Sequence, residues 1–411
     1  MYELEDITER VILIGVQEEE GEEAQESLEE LGELARTAGA AVAGKVIQKR
    51  EKIHPGTYIG KGKIEEVRML ILMQDATGVI CDDELSPAQM NNLQQELECK
   101  VMDRTLLILD IFASHAVTRE GKIQVELAQL RYRAARLTGL GHSLSRLGGG
   151  IGTRGPGEKK LEMDRRLIRT RISQLKRELE EVVRHRELIR ERRQKKGRKI
   201  AALVGYSSAG KSSMLNYLTD ANVLEDAMLF STLDTTTRVL RLSGKQEILL
   251  IDTVGFIRKL PHHLIEAFRS TLEEVCYADI ILHVVDASNP QMETQMHVVY
   301  ETLRELHAAD KPVVTLFNKQ DKLFNPRKFR DFRADYSVLT SAKTGEGMEE
   351  LKEILEEILR QGQIYIERLY SYDQAGRIQL IRKKGELLEE EYLPEGIAVK
   401  AYVPREIYEK V

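Results

Sequence analysis

Cysteine is scarce. Cys81, Cys99 and Cys276 stand far apart in a chain of 411 residues, with no CxxC pair. That excludes a disulfide scaffold and a cysteine-rich zinc module, and reduced, buried thiols are the expectation. Long apolar runs are also missing: no segment approaches the roughly 18 residues of a membrane span. The first ten residues, MYELEDITER, are acidic, where a secretory signal is basic and then apolar. A cytoplasmic protein without a membrane span is expected. His262 and His263 are neighbours without metal-ligand spacing and read as surface residues rather than zinc ligands.

What is present is sorted by region. The net charge of −6 conceals 12 Asp/Glu against one Arg in residues 1–30, and 23 Lys/Arg against 9 Asp/Glu in residues 121–199. The acidic segment reads as a solvated face, and the basic one as a polyanion-binding surface. Tyr132 is the one aromatic residue of the basic stretch. Base stacking on single strands is therefore disfavoured against contact with the phosphate backbone or the shape of folded RNA.

A chain this long holds about two to four domains. In residues 1–120, apolar runs at Val11–Val16, Val42–Lys49, Gly78–Cys81 and Lys100–Met102 alternate with helix-like stretches at Glu22–Ala38, Ile64–Gln74, Pro87–Leu97 and Thr105–Ser114. That pattern predicts a small, mainly parallel α/β domain. Gly56–Lys63 is glycine-rich, but its spacing fits neither a phosphate loop nor GxGxxG, and a tight turn is expected. Ile123, Leu127, Leu130, Ala134 and Leu137 recur at 4-3-4-3 spacing, as do Ile168, Ile172, Leu175, Leu179 and Val182. Those are the two seams of an antiparallel helical hairpin over residues 121–197, with the glycine-rich Gly139–Gly157 at its tip. Arg146 and Arg154 fall at the tip, and Arg131, Arg133, Arg165, Arg166, Arg169 and Arg171 along the arms. These eight arginines are the candidate RNA-binding residues.

Lys199–Val204 is a strand-like run leading into Gly205-Tyr206-Ser207-Ser208-Ala209-Gly210-Lys211-Ser212, followed by helix-like residues. This is a phosphate loop in its strand–loop–helix setting. Its backbone N–H groups wrap phosphates, Lys211 reaches the β- and γ-phosphates, and the Ser212 hydroxyl ligates Mg²⁺. The loop alone does not choose between ATP and GTP. Ile248–Ile251 then delivers Asp252-Thr253-Val254-Gly255, with Asp252 holding Mg²⁺ through water and the Gly255 N–H at the γ-phosphate. Ile280–Val285 is a third strand. Val313–Phe317 delivers Asn318-Lys319-Gln320-Asp321, whose aspartate accepts two donors that guanine presents together and adenine does not. Ser341-Ala342-Lys343, after a short strand at Val338–Leu339, offers a backbone N–H to guanine O6. All these motifs lie at strand C-termini, where ligands of open α/β sheets bind. They predict a G domain over 198–361 that binds GTP and GDP. Its switch runs Phe230-Ser231-Thr232-Leu233-Asp234-Thr235-Thr236-Thr237-Arg238, and spacing does not choose the Mg²⁺-ligating threonine among Thr232, Thr235, Thr236 and Thr237. Phe256 follows DxxG where small regulatory GTPases place a water-orienting glutamine, so slow hydrolysis without a partner is expected. In residues 362–411 the alternating runs RIQLIRK and GIAVKAYVP, separated by acidic turns, suggest a small α+β domain.

The tip LSRLGGGIGTRGPGE, the switch FSTLDTTTR, DTVGF, NKQD and SAK, in this order, resemble the HflX family of ribosome-associated GTPases. The resemblance covers most of the chain, and the tip is its most specific piece. It implies an N-terminal α/β domain, a helical hairpin, a P-loop G domain and often a small C-terminal domain. It also implies binding to the large (50S) ribosomal subunit, with the N-terminal region toward the peptidyl-transferase centre, and splitting of ribosomes stalled under stress. In the family's F-x-T-L-D element the Mg²⁺-ligating threonine falls on Thr232, which joins Lys211 and Gly255 as the catalytic set. Phe230–Asp234 joins the nucleotide-binding residues. Ser208 replaces the family's usual asparagine, which puts potassium stimulation in doubt, and Thr235 replaces a proline of the switch. The expectation is a monomeric GTPase that partners rRNA and not DNA. The alternative is a regulatory GTPase or an RNA-remodelling NTPase of ribosome assembly.

Overall fold

The computed structural model describes residues 9–18, 24–144, 156–195, 198–219, 229–230, 236–243, 246–259, 261, 264, 269–323 and 329–411, with residues 138–144, 156–161, 189–195 and 269–272 described by backbone alone. Arg146, Arg154, Ser231–Thr235, His262 and His263 lie outside the described residues. The chain forms two compact units. The first comprises residues 1–185 with 226–234 and 257–271, and the second comprises 186–225, 235–256 and 272–411.

In the first unit the elements are β1 (Arg10–Gln17), α1 (Ala24–Thr37), β2 (Ala41–Lys49), α2 (Lys61–Gln74), β3 (Gly78–Cys81), α3 (Pro87–Leu97), β4 (Lys100–Asp103), α4 (Arg104–His115), α5 (Arg119–Leu144) and α6 (Pro156–Lys195), the last running on into the second unit. The four strands are all parallel in the order β2-β1-β3-β4. Buried Ile12, Ile14, Val79 and Val101 belong to one of the cores the sheet supports. Local chemistry sets the helix ends. Ser86 and Gln89 form a reciprocal capping box with Pro87 in the first turn of α3, and α2 and α3 both close on a left-handed residue, Asp75 and Glu98. The Gly56–Lys63 segment is indeed turn and helix start, with His54 Nδ1 accepting from the Gly56 and Thr57 amides at 3.2 and 3.1 Å.

Helices α5 and α6 pack through Ile123, Leu127, Leu130, Ile172, Leu175, Leu179 and Val182, seven of the ten seam residues expected. Tyr132, the one aromatic residue of the basic stretch, is turned inward rather than toward solvent. It is buried, donates to Asp103 Oδ1 at 2.8 Å and lies under the Arg136 guanidinium. Burial, with the Asp103 charge beside it, pushes its phenol pKa well up.

In the second unit the elements are β5 (Lys199–Gly205), α7 (Lys211–Thr219), β6 (Thr236–Arg241), β7 (Glu247–Asp252), α8 (Arg269–Tyr277), β8 (Ile280–Asp286), α9 (Met292–Glu305), β9 (Val313–Asn318), β10 (Tyr336–Leu339), α10 (Met348–Arg360), β11 (Gln363–Tyr370), α11 (Ala375–Lys384), β12 (Glu386–Leu393), β13 (Gly396–Pro404) and α12 (Arg405–Tyr408). The six-stranded order is β10-β9-β8-β5-β7-β6, parallel except for β6. β5, β8 and β9 are buried almost end to end, the pattern of parallel strands covered on both faces. β6 was not expected: Thr236 and Thr237 pair with Asp252 and Ile251 as an edge strand. The last residues form a three-stranded antiparallel sheet, β11-β13-β12, backed by Ile378 and Ile381. Here the run RIQLIRK is corrected. It is helical, because its apolar residues Ile378 and Ile381 meet the core at i,i+3 spacing, and the acidic stretch read as a turn is strand β12.

Candidate nucleotide-binding site

The site is built at the C-terminal ends of β5, β7, β9 and β10, all in the second unit. The loop Gly205–Gly210 turns from β5 into α7. Gly210 has φ +98°, and a Cβ there would lie 2.4 Å from Asn318 Nδ2. Only glycine permits that approach. The phosphate loop and the NKxD loop are thereby closed on each other, and the Asn318 amide donates to the Ala209 carbonyl at 2.9 Å.

The NKxD and Ser341–Lys343 loops are clamped in the same way. Asn318 Oδ1 accepts from the Ala342 amide at 2.9 Å, and the Ser341 hydroxyl donates to Asp321 Oδ1 at 2.7 Å. Lys319, with φ +64°, donates to the Ser208 carbonyl at 2.7 Å and to Asp286 Oδ2 at 2.6 Å. These bonds link Asn318 with Ala342, Asp321 with Ser341, and Asn318 and Lys319 with the phosphate loop.

At the phosphate end Lys211 is buried, and its ammonium donates to the Gly205 and Tyr206 carbonyls at 3.3 and 3.0 Å. Burial holds its pKa down at about 8, with Asp252 opposing the shift and Lys319 adding to it. The Ser212 hydroxyl donates to Asp252 Oδ2 at 2.8 Å, and Asp252 is fully buried. Thr253 donates to the Leu203 carbonyl at 2.7 Å, which makes it a structural member of the set. The chain after Gly255 zips onto the loop: the Ser207 amide donates to the Phe256 carbonyl at 2.7 Å, and the Phe256 amide to the Gly205 carbonyl at 3.1 Å. A Cβ on Gly255 would lie 2.8 Å from Ser207 Cα and 3.0 Å from Lys211 Nζ, so glycine is required beside Lys211. Val254 and Phe256 are buried behind it.

Sequence reading missed the residues that hold the switch segments. In the first unit, Lys259 reaches Asp82 Oδ2 at 2.6 Å and Asp83 Oδ1 at 2.7 Å, and Arg258 reaches Glu26 at 3.1 Å. Phe230 packs edge-on against Phe112 with ring centroids 4.8 Å apart. No local pattern marks these pairs, whose partners lie more than a hundred positions apart in the chain. On the hairpin, Arg133, Arg166 and Arg169 are exposed and Arg131 is half-buried. Arg165 donates to the Leu137 carbonyl at 2.7 Å, and Arg171 pairs with Glu126 at 2.7 Å, so these two also tie the helices together.

Three family models match in sequence: a GTP-binding GTPase N-terminal region over residues 25–113, a GTP-binding GTPase middle region over 115–193, and a 50S ribosome-binding GTPase over 200–319. GTPase HflX of Lacrimispora saccharolytica is 65% identical over 408 residues, covering 99% of this chain and 96% of its own. The chain belongs to the HflX family of GTPases. GTPase HflX of Escherichia coli is 42% identical over 370 residues, covering 89% of this chain and 87% of its own. A GTP-binding protein of Sulfolobus solfataricus solved with GDP aligns with 86% of this chain and 99% of its own, at 24% identity and TM-score 0.45. As an HflX GTPase the chain is a GTP-hydrolysing enzyme of a 50S ribosome-binding family. Among the described residues no helix is long and apolar enough to cross a membrane.

Proposed function

We propose that this HflX GTPase docks on the large ribosomal subunit through rRNA and, in its GTP state, splits stalled or stressed ribosomes in the cytoplasm as a monomer. Hydrolysis then resets it. The observation that carries the reading is the presence in one chain of an NKxD loop bonded to the Ser341–Lys343 loop and a hairpin exposing Arg133, Arg166 and Arg169. Exposed arginines on the hairpin would neutralise RNA phosphates. The reading includes four functional segments, 1–120, 121–197, 198–361 and 362–411.

Asp321 accepts from the guanine N1–H and amine, a backbone N–H of the Ser341–Lys343 loop meets O6, and the Lys319 stem covers the base. Lys211 leaves the Gly205 and Tyr206 carbonyls for the β- and γ-phosphates, and the Gly255 N–H meets the γ-phosphate. Mg²⁺ fits the residues present: the Ser212 hydroxyl and Asp252 carboxylate converge at 2.8 Å as hard oxygen donors, with phosphates, water and Thr232 completing the set. Bound there, the ion would neutralise charge developing on the phosphates. Phe256 has no polar group with which to orient water, so turnover is slow until the ribosomal partner supplies or orders one.

The test is sucrose-gradient analysis of intact ribosomes mixed with the protein and a non-hydrolysable GTP analogue, over a salt series, with GTP turnover measured alongside. Free subunits, stimulated turnover and a steep fall of binding with salt support the proposal. Intact ribosomes and unstimulated turnover at low salt refute it.

A further inference from the structure

Residues 330–333, in the turn before β10, form the second unit's most exposed aromatic feature. Phe332 is 87% exposed, more than any other large apolar residue described, and the neighbouring Arg330 and Arg333 are exposed as well. Such exposure is ordinary in a loose loop, but this turn is pinned from beneath. Asp331 is buried, and its carboxylate accepts from the Tyr300 hydroxyl of α9 and, at 2.7 Å, from the Thr315 hydroxyl of β9. The same carboxylate accepts from the Arg333 amide at 3.0 Å, while the Asp331 amide donates to Ser337 Oγ of β10 at 3.1 Å. His283 of β8 stacks edge-on against Tyr300 with ring centroids 5.2 Å apart, so four elements hold the anchor.

The cations are arranged around the rings. The Arg333 guanidinium lies over the Tyr300 ring at 5.3 Å, and the Arg330 guanidinium lies 5.4 Å from the Phe332 centroid. A water-exposed aromatic ring on an anchored turn, with Arg330 beside it and Arg333 on the adjacent Tyr300 ring, is the chemistry of base stacking with phosphate neutralisation. An apolar protein pocket would take the ring equally well, but the paired arginines favour a polyanion.

We infer that the 330–333 turn is an RNA-docking prong, Phe332 stacking on an unpaired base while Arg330 and Arg333 meet the neighbouring phosphates. The inference rests on the ribosomal reading above and adds a contact on the G domain separate from the hairpin. It is also separate from the nucleotide site, because the turn precedes β10 whereas the guanine-selecting loops follow β9 and β10.

The test compares wild type, Phe332→Ala and Phe332→Trp for co-sedimentation with large subunits in a non-hydrolysable GTP analogue, with ultraviolet cross-linking to identify what the turn touches. GTP turnover without subunits is the control for the fold and nucleotide site. Phe332→Ala is expected to weaken subunit binding by roughly 5- to 100-fold, the worth of one base–aromatic stack. Phe332→Trp restores binding, subunit-free turnover is unchanged, and wild type cross-links to rRNA. Equal binding by wild type and Phe332→Ala overturns the prong while leaving the ribosomal reading intact. So does weakened binding with cross-links to ribosomal protein alone. Failure of wild type itself to bind sinks both readings.

Discussion

Removing the Lys259 ammonium tests how the first unit carries its buried charge. Asp82 has a side chain only 1% exposed and touches two cations, Lys259 at 2.6 Å and Arg104 Nε at 3.6 Å. Arg104 is itself buried and bonded to Glu30 at 2.9 Å, so it is shared. Removing one partner of a fully buried pair costs about 3–5 kcal/mol. Lys259 is 31% exposed and Arg104 remains beside Asp82, so solvent screening and the second cation reduce this to about 2 kcal/mol for Lys259→Ala. The pH dependence has a definite sign. Burial works against the ammonium, but Asp82 and Asp83 outweigh it and raise the Lys259 pKa. The contribution is therefore complete at neutral pH and is lost as pH climbs through the raised value. Hydrogen exchange at the amides of β3 and β4 reads this unit separately from the G domain. Lys259→Ala should accelerate their slowest exchange about 30-fold at pH 7, and Lys259→Arg should restore most of the protection. Exchange unchanged by Lys259→Ala would show that Arg104 alone compensates Asp82, and would refute the reasoning.

Asp321→Asn should weaken GTP binding by about 100-fold or more, since two charge-assisted hydrogen bonds are lost, and should favour xanthosine triphosphate, whose C2 carbonyl suits an amide donor. Displacement of a fluorescent nucleotide measures both, and an unchanged preference would remove Asp321 from the base pocket. Gly210→Ala should lower nucleotide affinity by roughly tenfold or more, because φ +98° and the 2.4 Å approach to Asn318 force the two loops apart. Calorimetric titration with GDP checks this against the conservative Ala209→Ser. Lys211 loses its proton as pH rises through about 8 in the nucleotide-free protein. GDP affinity should therefore fall about fourfold between pH 7 and 8.5, and a flat profile would show that the lysine stays charged.

Short motifs carried most of what the sequence by itself determined. The loops Gly205–Ser212, Asp252–Gly255, Asn318–Asp321 and Ser341–Lys343 are each contiguous in the sequence, so local spacing was enough to read them as candidates. The apolar runs of β5, β8 and β9 announced themselves because strands buried on both faces have no polar interruptions. Edge strand β6 escaped because it is polar and half-exposed, with only Leu240 buried. RIQLIRK was ambiguous because a short run with few apolar residues fits either period until a core selects one. Tertiary structure alone decided that Tyr132 serves Asp103, that Arg165 and Arg171 also bind within the hairpin, and that Lys259 meets Asp82 and Asp83. Those pairings join residues about 28 to 177 positions apart, and a contact at that separation exists only once the elements carrying it have packed.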